Sequence, residues 1–133
     1  MLFVVGLQGL IVASEAVASG TLTRQQVRAN YTKLHRNVYV LNDLKLDAAI
    51  RARAAWLWSG RKAVVVGNSA AALMGTRWIP DDIPAELARA RTPAPPGIVV
   101  HSGGLAADEV RRVGDVGCTT APRTGYDLAP TCP

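Results

Sequence analysis

The chain is short of the residues that anchor large cores: aromatics make up 5% of its 133 residues, with a single Phe. Any interior must come mostly from Ala, Val and Leu, which bury less area per residue than rings do. Cysteine is nearly absent, and Cys118 with Cys132 is no disulfide framework, so a stapled secreted scaffold is excluded and both read as reduced thiols. These cysteines, His35 and His101 lack the close paired spacings of a tetrahedral zinc site, and the two histidines read as surface or turn residues. Phosphate-binding GxxxxGK[ST], dinucleotide-binding GxGxxG, nucleophile-elbow GxSxG and metalloprotease HExxH are all missing. Ser69 follows Gly67-Asn68 without the elbow's second glycine and reads as a helix cap. The expectation is a chain with no enzymatic activity and no cofactor. Charged residues are few at 19%, but 49% hydrophobic residues exclude disorder, and the length suits one ordinary domain or two very small ones.

The first thirteen residues, Met1 to Ala13, form an apolar run too short to span a bilayer, with no Lys or Arg ahead of it. It is expected to be a first strand or helix packed on the core. A signal peptide and a misplaced start codon are the alternatives.

What charge there is lies unevenly. The net charge is +5, and residues 21–62 hold nine basic side chains against only Asp43 and Asp47. A basic first half beside a near-neutral second half suits a polyanion partner through phosphate attraction and counterion release, or else an ordinary solvated face.

Ser14 is expected to cap a short helix over residues 15–19 that Gly20 terminates. Thr23, with Gln26 three residues on, reads as a capping box opening a second helix through Tyr31. In it Val27 and Tyr31 share one face while Arg24, Gln25 and Arg28 lie opposite. Lys33 to Leu41 reads as a β-hairpin turning at His35-Arg36-Asn37. Two helices, a tight turn and a basic hairpin follow the order of a winged helix-turn-helix.

Further on, Asp47 is expected to cap a helix from Ala48 to Trp58 with Ile50, Ala54, Leu57 and Trp58 as its apolar stripe. Trp56 and Trp58 read as core anchors, with a stacking platform for single-stranded nucleic acid as the alternative. Residues 63–66 read as a short buried strand or the start of the next helix, Asn68 or Ser69 as the cap of Ala70 to Met74, and strands are expected near 86–88, 97–102, 110–113 and 117–120. The last two are separated by the turn Gly114-Asp115. Residues 120–129 read as a helix start with Pro122 in its first turn, cut short by Pro130. Asp43-Leu44-Lys45 and Pro80-Asp81 hold nuclease-like residues in the wrong order for the usual magnesium site.

Four motifs, in order, resemble actinobacterial proteins of the AbiEi-type antitoxin class: Glu15 to Arg28, Val38-Tyr39-Val40, Ser69 to Gly75, and Thr119 to Thr124 with Asp127-Leu128-Ala129. The resemblance covers roughly residues 12–129. It implies an α+β chain with a winged helix-turn-helix at 1–45 and a small mixed α/β domain at 46–133, C-terminally truncated before the very-short-patch-repair-like endonuclease domain of many relatives. It further implies a cytoplasmic regulator that binds double-stranded DNA, represses its own promoter and counteracts a nucleotidyltransferase-like toxin, with no membrane partner and no specified oligomeric state. By position, Arg24, Gln25, Arg28 and Asn30 would fall on the recognition helix, and Lys33, His35, Arg36 and Asn37 on the wing. The alternative is a protein-interaction fragment or remnant of a larger protein, in which Trp56, Trp58 and Trp78 serve a toxin or partner subunit. A divergent nuclease using Asp43 is the enzymatic alternative.

Overall fold

The computed structural model describes residues 9–75, 79–88, 94–101, 109–113 and 116–119. The chain divides between Lys45 and Leu46 into two compact units.

In the first unit the end of the apolar run, Leu10–Val12, is strand β1, followed by helices α1 (Ala13–Ala18) and α2 (Arg24–Asn30) and the hairpin β2 (Tyr31–His35) and β3 (Val38–Leu41). The sheet runs β1-β3-β2, so β3 sits in the centre and pairs antiparallel with both neighbours. Leu10 faces Val40 in the register, and Lys33 faces Tyr39, with a bulge between Lys33 and His35. Ile11, Ala16 and Val27 form the buried centre, one from each of β1, α1 and α2. Small and β-branched side chains suffice here because each element is short.

Helix α1 corrects one expectation. It starts at Ala13 with Val12 as its N-cap and no capping side chain of its own, so Ser14 lies inside the helix. Its far end follows the sequence: Gly20 takes φ +78°, a conformation open to glycine without strain, and its N–H donates to the Val17 carbonyl at 3.1 Å. Helix α2 stops at Asn30, one residue early, because Tyr31 is already extended and pairs with Leu41.

The second unit holds α3 (Ala48–Trp58), β4 (Val64–Val65), α4 (Gly67–Leu73), β5 (Ala85–Ala88), β6 (Ile98–His101), β7 (Val110–Val113) and β8 (Val116–Thr119). The mixed sheet has the order β6-β5-β4-β8-β7, antiparallel at β4–β5 and β7–β8 and parallel at β5–β6 and β4–β8. Both helices pack on β5 and on each other. Asp47 caps α3, accepting from the Ile50 N–H at 2.8 Å. The apolar stripe of α3 is wider than its sequence spacing suggests. Ala48, Ala52, Ala55 and Trp56 are buried along with Ile50, Ala54 and Leu57, whereas Trp58 is only half-buried. A helix this rich in Ala is covered on most sides by close neighbours.

Helix α4 brings a second correction, since Val66 is its N-cap and Ser69 lies inside it. The buried Ser69 hydroxyl accepts from the Glu86 N–H at 2.9 Å, and the Glu86 carboxylate returns a bond by accepting from the Asn68 N–H at 3.0 Å. Strand β5 thus supplies the cap that the helix lacks locally. Trp78, the turn at 114–115, the helix start expected at 120–129 and Cys132 lie outside the described residues.

Candidate nucleic-acid interface

Helix α2 is built to present side chains rather than to bury them. Its start is fixed by a complete capping box: the Thr23 hydroxyl accepts from the Gln26 N–H at 3.1 Å, and the Gln26 side chain accepts from the Thr23 N–H at 2.9 Å. Its end is tied by Asn42, whose N–H donates to the Asn30 carbonyl and whose side-chain amide donates to the Ala29 carbonyl. Between these ends only Val27 is buried, at 4% exposure. Arg24, Gln25, Arg28 and Asn30 are all exposed. With Gln26 engaged in the capping box, the helix offers Arg24, Gln25, Arg28 and Asn30 as its polar outward side chains.

The adjoining hairpin carries the remaining cations. Lys33 and Arg36 are exposed and His35 is half-buried. Asn37 sits at the turn with φ +64°, a left-handed conformation that Asn tolerates better than most residues. Its side chain is engaged within the unit: Oδ1 accepts from the Ser14 N–H at 3.0 Å and Nδ2 donates to Ser14 Oγ at 2.7 Å. The Asn37 carbonyl also accepts from the Ala13 N–H at 2.9 Å. Asn37 thereby caps α1 from across the sheet and locks the hairpin turn to the helix pair. The sequence places Asn37 in the hairpin turn, as observed, but as a wing residue for DNA, without this bond. The available signal was an Asn placed just before the strand-forming Val38-Tyr39-Val40.

Arg24, Arg28, Lys33 and Arg36 form no ion pair with any described residue, so their charge is uncompensated locally. The Ser14–Asn37 pair ties α1 to the hairpin turn, and Asn42 ties the end of α2 to the end of the hairpin. That arrangement is suited to an extended anionic surface, since phosphates take cations at several spaced points.

Among the described residues no three His, Cys, Asp or Glu groups lie together to hold a metal ion. Of the nuclease-like residues, Asp81 uses its backbone carbonyl to accept from Arg51 Nε at 2.6 Å. His101 Nε2 lies 3.3 Å from Glu86 Oε1, so the Glu86 carboxylate is shared between a helix start and an exposed imidazole.

The described residues define an α+β protein of two units with four helices and two sheets, and among them no helix is long and apolar enough to cross a membrane. No known family model matches the chain, and no curated protein does.

Proposed function

We propose that this chain is a DNA-binding transcriptional regulator of antitoxin type that acts on its own promoter through a winged helix-turn-helix. The observation that carries the reading is α2, capped at both ends and buried only at Val27, with Arg24, Gln25, Arg28 and Asn30 exposed beside a cationic hairpin. The order β1-α1-α2-β2-β3 and the sheet order β1-β3-β2 support it, because they put two helices and a hairpin in the sequence that such a module uses. In this reading α2 enters the major groove of double-stranded DNA. Arg24 and Arg28, with Lys33 and Arg36 on the wing, neutralise phosphates, and Gln25 and Asn30 meet base edges. His35 flanks the wing, and Asn37 fixes its turn.

The resemblance to AbiEi-type antitoxins adds a nucleotidyltransferase-like toxin as the protein partner and the cytoplasm as the place of action. The second unit, compact by itself, is the part offered to that toxin.

Fluorescence anisotropy of the full chain on duplex from the region upstream of its own gene, against scrambled duplex, tests the reading. A preference for the upstream duplex that Arg24→Gln and Arg28→Gln together abolish is the expected result. A folded protein that ignores both duplexes overturns it.

A further inference from the structure

A cavity of about 520 Å³ lies against α1, α2 and β3, with Val17, Ala18, Val27 and Tyr39 in its apolar wall and Arg24 and Arg28 in the same lining. Its size falls within the range of small-molecule sites, roughly 300–1,000 Å³. Val17 and Tyr39 pack against the buried centre of the unit while remaining only partly covered, so the wall is an extension of the core.

The two arginines are four residues apart on α2 and so lie on one face of it. Among the described residues neither guanidinium has an ion-pair or hydrogen-bond partner. An apolar wall beside two exposed guanidinium groups that no described residue pairs selects its occupant on two counts. A neutral apolar molecule gains nothing from either guanidinium, and inorganic phosphate leaves the wall wet. An apolar body bearing one carboxylate or sulfonate satisfies both, because guanidinium is weakly hydrated and binds such oxygens in bidentate fashion.

We infer that this cavity is a binding site for a small amphipathic organic anion, its charged group on Arg24 and Arg28 and its body against Val17, Val27 and Tyr39. Because the same arginines are the proposed phosphate contacts, an occupied cavity opposes duplex binding. This second consequence rests on the DNA reading; the site itself does not. Coupling of this kind is reciprocal, so duplex weakens the anion as much as the anion weakens duplex.

The probe is 8-anilinonaphthalene-1-sulfonate, titrated by fluorescence into the full chain, with N-phenyl-1-naphthylamine as its uncharged counterpart. The sulfonate binds saturably at one site, and the double variant Arg24→Gln, Arg28→Gln weakens it by roughly tenfold or more, the worth of a charge-assisted hydrogen bond. The uncharged probe is little affected by that variant. Ala18→Trp, which adds a ring at an exposed position of the lining, removes both probes, and circular dichroism confirms that each variant keeps its fold. Sulfonate affinity unchanged in the arginine variant, or binding that survives Ala18→Trp, overturns the site. Saturating sulfonate weakens upstream duplex by at least about fivefold; undiminished duplex binding overturns the antagonism. If the sulfonate binds as stated and the wild-type chain binds no duplex even without it, the DNA reading fails and the site stands.

Discussion

Asn37 and Ser14, 23 residues apart, exchange hydrogen bonds: the Asn37 side chain accepts from the Ser14 N–H at 3.0 Å and donates to the Ser14 hydroxyl at 2.7 Å. The start of α1 is thus capped by the hairpin turn. Asn37→Gly keeps the left-handed turn but loses the cap and should destabilise the chain by about 1 kcal/mol. Asn37→Ala also forces φ +64° on a residue that resists it, adding roughly 1 kcal/mol or more. Urea unfolding of the full chain measures the order of the two variants, and hydrogen exchange at the Ser14 amide measures the lost cap directly. Equal stability of wild type and Asn37→Gly would show that the pair contributes nothing.

Gly67 sits where a side chain would meet the Glu86 carboxylate. It takes φ +60°, and a Cβ there would lie 2.8 Å from both oxygens of Glu86, which are held in place by Asn68 and His101. Gly67→Ala is expected to cost about 1–3 kcal/mol through backbone strain, and more through displacing the cap. Combined with Glu86→Ala, the loss should be smaller than the sum of the single losses, because the carboxylate is no longer there to be displaced. A double-mutant cycle in urea reads this coupling; strict additivity would contradict it.

Cys118 is fully buried and free, and burial pushes its thiol above the ordinary value of 9.0, an effect partly offset by the charge of Arg111. Since the folded chain favours the neutral thiol, the associated stability is complete below pH 9.0 and is lost as pH rises through the higher folded value. In a Cys132→Ser background, Cys118 should resist a thiol-reactive disulfide reagent until the chain unfolds. The alkaline fall in stability should be shallower in Cys118→Ala. Rapid labelling of the folded chain would contradict the burial.

Elements whose partners are local were legible in the sequence, and those whose partners are distant were not. The Thr23 capping box closes within four residues and Asp47 reaches Ile50, so both helix starts are written in adjacent side chains. The Val- and Ile-rich strands β3, β6 and β7 follow from composition in the same way. Ser14 and Ser69 have the chemistry of N-caps, yet each lies inside its helix. The bonds that satisfy those helix starts come from Asn37 and Glu86, which only the fold brings near. The wide burial of α3 was hidden for a related reason, because Ala at 48, 52 and 55 marks no face until close neighbours cover it. On α2 the polar composition foretold the exposure of Arg24, Gln25 and Arg28, but Arg24 and Arg28 border the same cavity as Val27 instead of lying opposite it. The cavity beside them gave no sequence signal, since it arises where α1, α2 and Tyr39 leave space.

The most direct test of the proposed interface is the salt dependence of duplex binding by the full chain. If Arg24, Arg28, Lys33 and Arg36 each neutralise one phosphate, the slope of log affinity against log salt is about −3.6, and each charge-removing substitution reduces its magnitude by about 0.9. A slope near zero, or one that the four substitutions leave unchanged in a folded protein, would contradict the account.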